Sequence, residues 1–159
     1  ILHVGKIGRG FLTAAPAIGA ISMAILLAYK PPTKNAGKNL FMSVAGFGLA
    51  TILFAISTNY FLSLFFLFLT GSFDSVSVVL RQTILQLSTP DEMRGRVSAV
   101  NSIFIGSSNE IGAFESSTAA GLMGLVPSVV FGGTMTILIV AATARLAPKL
   151  RRLNLTTLE

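Results

Sequence analysis

Cysteine and tryptophan are absent from this 159-residue chain, histidine occurs once, and the charged residues amount to twelve Lys and Arg and six Asp and Glu. Without cysteine there is no disulfide, no thiol nucleophile and no Cys-ligated metal. His3 has no partner at metal-ligand spacing and reads as an interfacial residue. No nucleophile is set beside a base, and the glycine-rich Gly5-Lys6-Ile7-Gly8-Arg9-Gly10 lacks the preceding strand that a dinucleotide site needs. A soluble enzyme is therefore disfavoured, and no metal or cofactor is expected. What the chain has in abundance is apolar: hydrophobic residues make up 52%, charged ones 11%, and the mean hydropathy is +0.76. A soluble domain of this length has no use for so much apolar surface, so an all-α integral membrane protein is expected. The net charge of +6 then reads as basic loops on one side of a bilayer rather than as a nucleic-acid surface.

Five apolar stretches, at about 10–29, 39–56, 61–80, 97–122 and 128–147, are long enough to cross a hydrocarbon core of about 30 Å as helices. Together they predict a transmembrane bundle over 1–147, followed by a tail over 148–159. In the first span Gly10, Ala14, Ala17, Ala20, Ala24 and Ala28 recur at helical spacing and predict a smooth contact face, with a kink at Pro16. The Phe-rich opening of the third span is expected to meet lipid or neighbouring helices. Further along it, Ser63, Thr70, Asp74, Ser77 and Arg81 share one stripe that should face protein or water. The fourth span carries Asn101, Ser107, Ser108, Asn109, Glu110 and Glu115, too many polar groups for a lipid-facing helix, and is expected in the bundle interior. The Gly132-Gly133 pair of the fifth suits close packing.

The connections are as informative as the spans. Lys30 to Lys38 brings three lysines and two prolines, and Ser57-Thr58-Asn59-Tyr60 is a short uncharged turn with Tyr60 as an interfacial anchor. Between the third and fourth spans, residues 81–97 concentrate charge. Within them Thr89-Pro90-Asp91-Glu92 predicts a capped helix start, with Thr at N-cap, Pro at N1 and Glu at N3. Alternating the spans puts Lys30, Lys34, Lys38, Arg81, Arg94, Arg96, Arg145, Lys149, Arg151 and Arg152 on one side, with Lys6 and Arg9 on the other. By the positive-inside rule the C-terminus is cytoplasmic and the N-terminal end of the first span lies outside. No cleavage pattern follows the first apolar run, so no signal peptide is expected. The missing initiator Met and the odd span number predict a piece of a longer protein.

The segment Pro90-Asp91-Glu92-Met93-Arg94-Gly95-Arg96-Val97 resembles the P-x-x-x-R-G-R-V element that many major facilitator superfamily transporters carry between their tenth and eleventh helices. Gly8 to Ala20 resembles the eighth helix of the branch that includes enterobactin exporters and macrolide efflux proteins. Asn109-Glu110-Ile111-Gly112 with Phe114-Glu115-Ser116, and Val126-Pro127-Ser128 through Gly133, resemble the last two helices of that branch. The resemblance covers nearly the whole chain and implies an incomplete C-terminal six-helix half, its helices matching the eighth to twelfth. It implies a multi-pass protein of the plasma (inner) membrane, in contact with lipid and with a missing N-terminal half. Its function would be secondary active export of a small amphipathic molecule, a siderophore or drug, by proton exchange. The alternative is a non-transporting membrane subunit or truncated product that packs against a partner.

Within the membrane an ionised carboxylate is costly unless paired, hydrated or protonated, so each one is a functional candidate. Counting about 1.5 Å per residue puts Asp74 in the cytoplasmic part of the core, Glu110 nearer the outside and Glu115 close to the outer interface. Glu110 leads as the proton-coupling group, because no basic residue lies near its depth and because Gly106, Ala113, Ser117 and Gly121 share its stripe, predicting a helix contact or a cavity. For Asp74 a structural pairing with a nearby Lys or Arg stands beside a coupling role. Asn101, Ser108 and Asn109 are substrate-lining candidates. Arg81, Asp91, Arg94, Gly95 and Arg96 are candidates for a cytoplasmic gate.

Overall fold

In hydrocarbon only a helix satisfies its own backbone N–H and C=O groups, and each apolar stretch of this chain is helical. The computed structural model describes residues 5–30 and 35–147. His3, the loop residues Pro31, Pro32, Thr33 and Lys34, and the tail over 148–159 lie outside the described residues. The order is α1 (Lys6–Tyr29), α2 (Ala36–Ile56), α3 (Tyr60–Leu87), a single 3-10 turn (Asp91–Met93), α4 (Arg94–Met123) and α5 (Leu125–Leu146). Among the described residues, α1, α2, α3 and α5 are long and apolar enough to cross a bilayer, which marks a membrane protein. The remaining helix, α4, has the length, at 30 residues, but its polar side chains leave it short of the same apolarity.

Successive helices run in opposite directions. The Tyr60 hydroxyl donates to the Gly8 carbonyl at 3.3 Å, tying the starts of α1 and α3 together. The start of α2 meets the end of α3 where Ala36 and Leu80, both almost fully buried, pack with Leu40, Val76, Ile84 and Leu87. That cluster explains why α3 continues seven residues past its predicted end. Ile84 and Leu87 have an apolar surface to cover, so the helix persists, and Arg81 becomes a helical residue rather than a loop residue. At the far end Gly124, with φ of +86°, makes the one-residue turn into α5, a backbone conformation that suits glycine. The described basic residues Lys30, Lys38, Arg81, Arg94, Arg96 and Arg145 fall toward one end of the bundle, and Lys6 and Arg9 at the other.

The interior is built from small residues. Buried positions are mostly Ala, Gly, Ser and Thr, while Phe11, Ile21, Phe61, Phe65 and Leu138 are exposed. Lipid tails solvate large apolar side chains as well as a core would, so close backbone approach becomes the source of packing. A Cβ on Gly71 would collide with the Pro16 carbonyl, and one on Gly19 with the Phe68 carbonyl. Ser72 adds a hydrogen bond from its hydroxyl to the Gly19 carbonyl at 3.2 Å. On α2, a Cβ at Gly46 would lie 2.8 Å from the Phe73 ring; α2 and α5 cross where Gly133 would meet the Gly48 carbonyl at 2.9 Å. Every buried side-chain N or O among the described residues has a hydrogen-bond partner.

Three local expectations are corrected. Contact on α1 runs through Ala15 and Gly19, whereas Gly10, Ala14, Ala17, Ala24 and Ala28 are exposed and Ala20 is half-buried. The two stripes lie only part of a turn apart, and which one packs depends on where α3 crosses. Pro16 sits inside a helix that runs unbroken from Lys6 to Tyr29, at the crossing with Gly71. The Thr89 capping box does not form. Pro90 is extended (φ −56°, ψ 146°), the next three residues make a 3-10 turn, and the Thr89 hydroxyl donates back to the Leu85 carbonyl at 2.6 Å, finishing α3 instead of starting α4. Finally, α4 is not interior. None of its residues is buried: Ile103, Phe104, Ile111 and Phe114 share one side of the helix and are exposed there, and α4 rests on α5 and on the 3-10 turn. In α5 it is Gly133 that is buried, while nothing lies within 4 Å of a Cβ on Gly132.

Candidate functional site

Because α4 leans on α5, a groove opens between α4 and α3. The residues facing it follow helical spacing from both sides: Asp74, Val78, Arg81, Gln82 and Leu85 on α3, and Val97, Val100, Asn101, Phe104, Ile105 and Ser108 on α4. It has three contiguous compartments. The one halfway along both helices, about 310 Å³, is lined by Asp74, Arg81, Ser108 and Asn109 with Val78, Phe104 and Ile105. The next, about 260 Å³, has Arg81, Gln82 and Asn101. The third, about 420 Å³, lies nearest the basic end and is walled by Leu85, Met93, Val97, Val100 and Phe104, with Arg96 and Asn101 as its polar members. Arg81 belongs to the first two, Asn101 to the last two, and Phe104 to the first and third, so the compartments run into one another.

The stripe on α3 splits by position. Ser63, Thr70 and Ser77 are buried against the neighbouring helices, while Asp74 and Arg81 are exposed to the groove. Arg81 donates from Nε to the Ser77 carbonyl at 3.3 Å, four residues back. Its guanidinium is thereby drawn along α3 toward Asp74, as helical side chains lean toward the N-terminus. Among the described residues the ion pair formed is Arg94 with Asp91 at 2.9 Å, so the pairing weighed for Asp74 is not made. Chemically the groove offers a carboxylate acceptor, two guanidinium groups, three side-chain amides and a hydroxyl beside apolar walls. No group of three His, Asp or Glu that could hold a metal occurs among the described residues.

Asp74, Arg81, Ser108 and Asn109 are thus brought together, and Asn101 joins them through the adjoining compartment. Glu110 is not. It is exposed and does not line these compartments, and two residues of its stripe, Gly106 and Gly121, have nothing within 4 Å of an added Cβ. Glu115 is likewise exposed. Of the predicted gate residues, Arg96 reaches the groove, whereas Arg94 holds its own turn through Asp91 and through a bond from Nε to the Thr89 carbonyl at 3.4 Å. Gly95 is open on all sides. Sequence reasoning missed Gln82 and Phe104. Their signal was present in the spacing, since Gln82 follows Val78 by four and Phe104 follows Val97 by seven.

No family model, curated protein or solved structure matches this chain.

Proposed function

We propose that this chain forms part of a secondary active transporter of the major facilitator type, exporting a small amphipathic molecule across the plasma (inner) membrane in exchange for protons. The observation that carries the reading is a groove of mixed polarity at mid-length of two helices, in a bundle whose α1, α2, α3 and α5 expose large apolar side chains. Polar and charged groups at such depth are costly in a merely structural membrane protein and are found where solutes or protons pass. The gathering of basic residues at one end and the P-x-x-x-R-G-R-V resemblance support the same reading. Asp74 and Glu110 remain its proton-coupling candidates, and Asn101, Ser108 and Asn109 its substrate contacts. Opposite them a second half of the transporter would close the open side of α4, in the two-halved arrangement that places substrates near the midplane.

The test uses the full-length protein in proteoliposomes with an imposed pH gradient. Glu110→Gln is expected to abolish proton-driven export while leaving substrate binding in place. Wild-type pH dependence in that variant removes Glu110 from the mechanism, and absence of any gradient-driven flux in the wild type supports instead a packing subunit. Orientation is tested by single cysteines, for which the cysteine-free chain is a ready background. Asn59 and Ser128 are expected to label from outside, and Ser88 and Lys38 from inside; Lys38 is exposed, whereas the nearby Ala36 is fully buried and out of a reagent's reach.

A further inference from the structure

We infer that the groove between α3 and α4 takes an amphipathic zwitterion, its two charges held between Asp74 and Arg81 and its apolar body lying along Leu85, Val100 and Phe104. The inference rests on the transport reading for its substrate role and on the following geometry for its chemistry. Asp74 and Arg81 stand seven residues apart, nearly eclipsed on one face and about 10 Å apart along the axis. They line the same compartment, yet the ion pair formed among the described residues is Arg94 with Asp91, and Arg81 is held by the Ser77 carbonyl. An anion and a cation that face one cavity without meeting leave one complementary charge on each side for a ligand to supply. Ser108 and Asn109, across the cavity on α4, add a hydroxyl and an amide for the rest of its head.

The polarity gradient decides between ligand classes. A membrane phospholipid would need its headgroup at the end of the bundle and its tail at depth. Here the compartment nearest the basic end is walled mainly by Leu85, Met93, Val97, Val100 and Phe104, with Arg96 and Asn101 as its polar members, and the compartment that holds both a carboxylate and a guanidinium lies halfway along both helices. A singly charged amphiphile is disfavoured as well, because one of the two side chains would face a like charge. Phe104 lines both the charged and the apolar compartments, so a single molecule can span them.

The experiment measures binding of radiolabelled 2-aminooctanoic acid, octylamine and octanoate to the full-length protein in nanodiscs by scintillation proximity. The zwitterion is expected to bind at least tenfold more tightly than either singly charged probe. Asp74→Asn should shift the preference to octanoate, and Arg81→Gln to octylamine; such exchanges of preference are gains that a misfolded variant does not show. Saturable binding with no preference among the three probes, or an unchanged preference in both variants, overturns the inference. Transport of some solute without zwitterion preference defeats this inference alone, whereas zwitterion binding without gradient-driven flux upholds it and defeats the transport reading alone.

Discussion

The crossing of α1 with α3 and the helix α4 are two regions of similar length and opposite construction. At the crossing, backbones approach so closely that Gly71 and Gly19 have no room for a Cβ, and buried hydroxyls find partners within the helices. On α4 no residue is buried, and its described glycines 95, 106, 112 and 121 all have open space around them. One region spends its small residues on close contact; the other carries small and polar residues of which none is buried among the described residues. The difference teaches that glycine and alanine content by itself does not identify an interface. A small residue becomes a contact only where a partner backbone passes, and α4 has the polar chemistry but not yet the partner.

Four substitutions, two of them paired with a control on α4, break or sharpen this contrast. The largest effect is expected from Gly71→Leu, whose side chain has to displace the Pro16 backbone; overpacking ordinarily costs about 1–3 kcal/mol, and a backbone collision should exceed that. Thermal unfolding in detergent checks it, with Gly106→Leu as the partner measurement. If α4 is open, Gly106→Leu stays within about 0.5 kcal/mol of wild type; an equal loss in both variants would show that a further helix covers α4 and erase the contrast.

Leu80→Ala comes next, since Leu80 is the largest fully buried side chain at the contact with Ala36. About 2 kcal/mol is expected, at the low end for buried leucines, because lipid solvates the lost methyls' neighbours well. Leu122→Ala, at a site 82% exposed, should cost nothing measurable in the same assay. Ser72→Ala removes the hydrogen bond to Gly19, and interhelical bonds of this kind average about 0.6 kcal/mol in membranes. A larger loss would mean that the hydroxyl, and not the glycine contact, holds the crossing.

The smallest stability effect belongs to Arg94→Ala. Its pair with Asp91 is exposed on both sides, and surface pairs of this sort contribute about 0–1 kcal/mol, reduced further by salt. The useful readout is accessibility. If Arg94 latches the cytoplasmic face, the variant changes labelling of Ser88 from that side; unchanged labelling and unchanged transport assign Arg94 to its own turn, where it holds Thr89 and Asp91.

Much of the architecture was legible beforehand, because hydrophobic length and charge placement are one-dimensional quantities. The apolar stretches, the turn at Ser57 to Asn59 and the clustering of basic residues toward one end can be read by counting along the chain. The failures share a cause. Thr89 has the spacing of a capping box, yet extended Pro90 and the 3-10 turn carry it to the end of α3. Polar α4 reads as interior by the cost of polarity in lipid, yet interior position also requires neighbouring helices on several sides, and among the described residues α4 leans mainly on α5, with its apolar side at Ile103, Phe104, Ile111 and Phe114 exposed. For the site, the grouping of Asp74 with Arg81 follows from a spacing of seven. Their meeting with Ser108 and Asn109 involves a second helix, whose rotation and tilt no spacing within α3 encodes.

By itself, then, the sequence determined that the chain is helical and suited to a bilayer, since each apolar run must close its own hydrogen bonds and the charged residues must reach water. Only the tertiary structure decided which small residues touch, that α3 extends to Leu87, and that α4 leans toward α5 and opens a groove lined by Asp74 and Arg81. The physical reason is that burial in lipid is a property of segments, summed along the chain, whereas close packing is a property of pairs of surfaces and exists only once two helices have met.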